Sequence, residues 1–280
     1  MRIPFTKMHG LGNDFVVLDL TNTEIEISAE QIRRLSHRQF GIGFDQLLQI
    51  KPPSSPEVDF DYRIFNVDGE EVEHCGNGAR CFSKFVHDKG LSEKNPLTVK
   101  TVNRVLVIHS SSNGEITVNM GVPELDPKNI PLKNEVRKVL YSRNINIRGH
   151  WTDIEFVALS MGNPHAVIFT EDLANTAVKD IGEGLGKHAD FPEGSNVGFM
   201  EVLNRNEINL RVYERGTGET LACGTGACAA VVAGGLINKL DSKVKVNLTG
   251  GQLTIDWQKD GNQVLMTGPA ATVYEGAFEI

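Results

Sequence analysis

Two of the four cysteines, Cys75 and Cys223, stand in near-identical settings, each in a Cys-Gly-X-Gly-Ala stretch that reads as the entry to a helix. A sulfur there meets unpaired N–H groups and the positive end of the helix dipole, which favour a thiolate or a bound carboxylate. Thiol pKa values at such places fall to roughly 3.5–7.5, so lowered values are expected for both. The glycines beside each sulfur keep the first-turn amides uncovered. Two such thiols suit the inversion of a stereocentre, which needs a base on one face of a carbon and an acid on the other. One thiolate removes an α-proton, the opposite thiol delivers another, and the helix N-termini hold the carboxylate that takes up the developing charge.

The settings match because the chain repeats itself. Residues 61–79, DYRIFNVDGEEVEHCGNGA, and 209–227, NLRVYERGTGETLACGTGA, align without a gap and pair Arg63 with Arg211, Glu71 with Glu219 and Cys75 with Cys223. At nearly the same offset Gly12-Asn13 answers Gly162-Asn163, and Gln46 answers Asn196. A gene duplication explains these matches in one order. Short alternating runs predict strands over 14–19, 97–100, 105–110, 116–120, 154–158, 207–213, 243–247, 253–257 and 264–267. Helices are expected over 29–37, after Ser28 with Gln31 as a capping box, and after each cysteine, with Asn77 and Thr225 as N-caps. The expected fold class is α+β: two similar β-rich domains, each with a central helix, and the active site in the cleft between them. The first domain is expected over 1–121, with 269–280 returning to it, and the second over 122–268. Cys81 and Cys228, more than a helical turn past the reactive pair, are assigned to the helix core.

Composition narrows the function classes. A hydrophobic content of 40% with 23% charged residues is that of a globular chain with a sizeable core. No stretch of about 18 apolar residues exists to span a membrane, and no signal peptide is recognisable. Four cysteines are too few for a disulfide framework, which points to a reducing, cytoplasmic setting. The net charge of −8, with no basic cluster, argues against a nucleic-acid partner. No flavin, nicotinamide or pyridoxal fingerprint stands out, so no cofactor is expected, and the cysteine spacings lack the C-x₂-C pattern of zinc sites, so no metal is expected.

The same residues resemble the diaminopimelate epimerase family over the whole chain. The matching stretches are KMHGLGNDF at 7–15, GFDQLL at 43–48, FNVDG at 65–69, HCGNGARC at 74–81, GNPHA at 162–166, Asn196-Val197, YERG at 213–216 and ACGTGA at 222–227, with no departure in any. The resemblance implies interconversion of LL- and meso-2,6-diaminopimelate, in lysine and peptidoglycan precursor synthesis, by a homodimer with no cofactor. It implies Cys75 and Cys223 as the proton donor and acceptor, and His165 and Glu214 as residues that tune the thiols. Asn13, Gln46, Asn66, Asn163, Asn196, Glu214 and Arg215, with Gly76, Asn77, Gly224 and Thr225, resemble the substrate-binding set. Tyr274 resembles the family's dimer-contact tyrosine. The chemistry agrees: one end of diaminopimelate is inverted, so its remote end needs an asymmetric set of partners. Asn66 aligns with Glu214 and Val67 with Arg215; Arg215 offers a fork for the remote carboxylate, and Glu214 and the amides accept from ammonium groups.

Two other readings compete. A proline or hydroxyproline racemase shares the two-cysteine logic but resembles this chain far less at Arg215 and the asparagines. A thiol redox or metal-binding protein would use the four cysteines differently.

Overall fold

The computed structural model describes residues 1–73, 75–133, 136–259 and 261–279; His74, in the first cysteine stretch, lies outside them. The chain divides into two units, Met1–Asn119 with Thr267–Ile280, and Met120–Met266. Each builds a sheet of the same topology. In unit 1, β1 (Arg2–Gly10) and β2 (Asn13–Asp19) form an antiparallel hairpin, and α1 (Ala29–Ser36) leads to β3 (Gln46–Lys51), parallel to β2. β4 (Phe60–Asn66) returns antiparallel to β3, and α2 (Gly76–Asp88) leads to β5 (Leu97–Lys100), parallel to β4. β6 (Val105–Ser110) and β7 (Ile116–Asn119) follow as antiparallel neighbours.

Unit 2 opens with β8 (Tyr141–Ile147), antiparallel to β9 (His150–Ser160). β10 (Pro164–Phe169) pairs antiparallel with β9, and α3 (Val178–Gly186) leads to β11 (Asn196–Asn204), parallel to β10. β12 (Glu207–Glu214) returns antiparallel, and β13 (Gly218–Thr220) folds back on it. α4 (Gly224–Leu236) leads to β14 (Lys243–Leu248), parallel to β12, and β15 (Gly251–Trp257) returns beside it. β16 (Val264–Gly268) leads into β17 (Ala271–Glu279), which pairs antiparallel with β1. β17 covers the outer side of β1 as β8 covers that of β9, so the two sheets obtain the same covering strand from different parts of the chain.

The registers repeat as well. Phe15 stands opposite Gln46, as His165 stands opposite Asn196. The central strands β2, β3, β10 and β11 are buried on both faces, and β2 therefore carries an unbroken apolar run, Phe15 to Leu18. Val16 and Leu18 pack with Ile32 and Leu35 of α1, whereas α2 packs on β1, β2, β3, β6 and β7. The expected capping box at Ser28 and Gln31 opens α1. α4, apolar nearly all round in sequence, is buried against β9, β10, β11, β12 and β15. Among the described residues no helix is long and apolar enough to cross a membrane.

The start of α2 is tightly fitted. A Cβ added at Gly78 would stand 2.3 Å from the Tyr62 hydroxyl oxygen, and Tyr62 is buried. Gly78→Ala is therefore expected to lower stability by about 1–3 kcal/mol, read as a lower urea midpoint at unchanged m-value. Among the described residues the Tyr62 hydroxyl has no hydrogen-bond partner, so adding Tyr62→Phe to that variant removes the colliding oxygen and recovers most of the loss. A further drop in midpoint on adding Tyr62→Phe would show that the collision is not the cause.

Candidate active site

Cys75 and Cys223 are themselves the N-caps of α2 and α4, both in extended conformation. The helices thus begin two residues earlier than expected, and Asn77 and Thr225 fall in the first turn rather than at the cap. The reason is that glycine follows each cysteine, so the helix starts without a side chain crowding the sulfur.

In unit 1 the half-buried Cys75 Sγ accepts from the Gly78 N–H at 3.4 Å and donates to Asn13 Oδ1 at 3.7 Å. Asn77 Nδ2 donates to the same oxygen at 3.2 Å. Gln46 Nε2 donates to Asn66 Oδ1 at 2.9 Å. These residues come from the β2 start, the β3 start, the β4 end and the α2 mouth, so unit 1 brings them to one end of its sheet. Sequence reasoning missed Asp45, whose Oδ2 accepts from Asn13 Nδ2 at 3.0 Å. It lies inside the GFDQLL stretch, and its charge was the available signal.

In unit 2 Cys223 is 3% exposed. Its Sγ–H donates to Glu214 Oε2 at 3.2 Å, and Thr225 Oγ1 lies 3.6 Å from the sulfur. β13 folds back so that Gly218 pairs with Glu214, which lets the Thr220 hydroxyl donate to Glu214 Oε1 at 2.5 Å. Thr220 was also missed; its signal was a hydroxyl where the first half has Val72. Asn163 Nδ2 donates to Thr225 Oγ1 at 3.4 Å, and its oxygen accepts from Nε2 of the buried His165 at 3.0 Å. Asn196 holds backbone: its Oδ1 accepts from the Arg215 N–H at 2.9 Å and its Nδ2 donates to the Pro164 carbonyl at 3.2 Å. The exposed Arg215 guanidinium donates to the Glu193 carbonyl at 2.8 Å.

The electrostatics of Cys223 overturn one expectation. Burial pushes its thiol well above the usual range, and the Glu214 carboxylate adds to the rise. The Thr225 hydroxyl and the Gly226 amide pull the other way and lose. A helix mouth alone lowers a thiol pKa; one enclosed with a carboxylate does not. Cys223 is thus held as a thiol with an anionic acceptor on its proton. Cys81 is buried, and burial pushes it up to about 12 against the pull of Arg80; Cys228 is buried too. Among the described residues no group of His, Cys, Asp or Glu is placed to hold a metal ion. Tyr274, 44% exposed on β17, meets the Phe5 ring edge-on at 5.9 Å.

Known proteins share this fold. The model of the diaminopimelate epimerase family matches residues 5–125 and 157–273. Among solved structures, a hydroxyproline epimerase from Agrobacterium vitis superposes with a TM-score of 0.70 at 15% identity, covering 99% of this chain and 92% of its own. A probable proline racemase from Agrobacterium radiobacter K84 gives 0.71 at 15% identity, over 99% and 93%. A phenazine biosynthesis protein of the PhzF family from Bacillus anthracis gives 0.68 at 18% identity, over the whole of both chains. The fold is the diaminopimelate epimerase-like one, two similar β-rich domains around central helices, and by its match over both halves the chain belongs to the diaminopimelate epimerase family.

Proposed function

We propose that this protein is a cofactor-independent, two-base epimerase that interconverts LL- and meso-2,6-diaminopimelate, supplying lysine and peptidoglycan precursor synthesis. The observation that carries the reading is the pair of thiols at equivalent helix mouths, each with a hydrogen-bond acceptor on its proton: Asn13 Oδ1 at Cys75 and Glu214 Oε2 at Cys223. One sulfur, as thiolate, takes the α-proton. The other gives its proton to the opposite face, and the two exchange protonation states on each turnover. The first-turn amides of Gly76, Asn77, Gly224 and Thr225 face the substrate carboxylate, which carries the charge that develops at the α-carbon.

In this reading Glu214 and His165 tune the thiols. Asn13, Gln46, Asn66, Asn163 and Asn196 line the substrate site, and Arg215 releases the Glu193 carbonyl to grip the remote carboxylate. Tyr274, exposed on the outer strand of unit 1, is assigned to a homodimer contact.

Incubation with LL-diaminopimelate in D₂O without added cofactor is expected to place one solvent deuterium at the inverted carbon and none at the distal one. Exchange on proline or hydroxyproline, with none on diaminopimelate, decides for a racemase of the other type. Exchange on neither substrate sinks both.

A further inference from the structure

We propose that Asp45 is a positioning residue for Cys75: it locks the Asn13 side chain so that the amide oxygen, and not the NH₂, faces the sulfur. Asp45 Oδ2 accepts from Asn13 Nδ2 at 3.0 Å and from the Asp14 N–H at 3.1 Å. An ionised carboxylate has no proton to give, so Asn13 can present only its NH₂ to it. The amide oxygen is then turned the other way, onto the Cys75 thiol at 3.7 Å and Asn77 Nδ2 at 3.2 Å.

Asp45 is itself held. Its Oδ1 accepts from Arg38 Nη2 at 2.7 Å, and the same guanidinium forks onto both oxygens of Asp14 at 2.9 and 3.0 Å. Lys7 pairs with Asp14 at 2.7 Å, and the Asp45 N–H donates to Asp14 Oδ1 at 2.9 Å. With its side chain 44% exposed, Asp45 adds little to stability through this ion pair. What the pair adds is direction.

The second half handles the same problem differently. The residue aligned with Asp45 is Ser195, whose hydroxyl donates to the Asn196 carbonyl. Asn163, the partner of Asn13, spends its oxygen on His165 and its NH₂ on Thr225. Cys223 meets its carboxylate, Glu214, directly. Each half therefore supplies one carboxylate to its thiol, directly in unit 2 and through one amide in unit 1. An acceptor on the S–H favours the thiol; an amide turned to offer N–H favours the thiolate.

The functional meaning rests on the two-thiol reading above, but the test reads the sulfur and not turnover. Site-resolved iodoacetamide alkylation at pH 8 is followed by mass spectrometry on the full chain. Asp45→Asn, which frees Asn13 to turn over, is expected to raise the Cys75 rate about two- to fivefold and leave Cys223 unchanged. Asp45→Ser, copying unit 2, carries the same expectation. Asn13→Ala also raises the Cys75 rate, and Asp45→Asn adds nothing in its presence, because one hydrogen-bonded path is removed twice. Tyr62 and Cys81 lie within electrostatic reach of Cys75 and are common to every variant. An unchanged Cys75 rate in both Asp45 variants, multiplicative effects in the double variant, or equal acceleration at both cysteines overturns the proposal. Inactivity toward diaminopimelate leaves this test standing, and failure here leaves the deuterium experiment standing.

Discussion

Replacing either Cys75 or Cys223 by alanine is expected to cut interconversion of the LL and meso isomers by about 10²- to 10⁴-fold, the range a positioned acid or base supplies. Inversion needs both faces served, so one remaining thiol can at most remove a proton and return it to the same face. The sharper readout is therefore isotopic. In D₂O a single-thiol variant is expected to wash deuterium into at most one isomer, slowly, with its configuration kept. The folding costs differ between the variants. Cys75 caps α2 through the Gly78 N–H, and losing a cap costs about 1 kcal/mol. Cys223 is buried and gives its proton to Glu214, so Cys223→Ala removes a donor from an enclosed carboxylate, at roughly 1–3 kcal/mol. Unfolding midpoints separate these costs from the loss of chemistry. An alanine variant that inverts diaminopimelate at an undiminished rate would falsify the two-base reading.

The parts of the molecule legible in sequence are those where local pattern and final environment agree. Strands β5 and β6 run over the residues their alternation predicts, because one side of each packs inward. The capping box at Ser28 is local chemistry, complete within four residues. The duplication was legible because each cysteine segment starts on a strand paired in the same sense, β4 antiparallel to β3 and β12 antiparallel to β11. Where environment overrides pattern, sequence reasoning failed. α3 reads VKDIGEGLG, and its glycines suggest a loop; a Cβ at Gly182 would lie 2.5 Å from Tyr213, so the helix needs that glycine to reach the sheet. β1 contains Pro4 and Lys7, both poor signs for a buried strand, yet Lys7 is buried because Asp14 neutralises it. The rise in the Cys223 pKa was invisible for the same kind of reason. Nothing in the spacing of Glu214 and Cys223 says that β13 folds back and brings the carboxylate to the sulfur.

That carboxylate has two candidate roles, and Glu214→Gln separates them. Burial raises the Cys223 pKa first, and the Glu214 charge raises it further. Glutamine keeps the shape and removes the charge. The sign follows: with one cause of the rise gone, the Cys223 pKa falls, and its thiolate forms at lower pH. The alkaline limb of Cys223 alkylation is expected to move to lower pH, while Cys75 is unmoved. Turnover falls all the same, by about 10²-fold, because the thiol loses the anion that accepts its proton and the acid and base no longer differ in the required sense. Thr220→Val, which removes only the hydroxyl that donates to the far oxygen of Glu214, leaves more charge on the carboxylate beside the sulfur and is expected to move the limb slightly the other way, to higher pH. A different pattern marks the other role. If Glu214 serves by accepting from a substrate ammonium, Glu214→Gln raises KM and leaves the Cys223 alkylation profile where it was. The 3.2 Å contact to sulfur favours the shifted profile, and the direct comparison of that profile with KM in one variant decides between a residue that tunes the thiol and one that only holds the substrate.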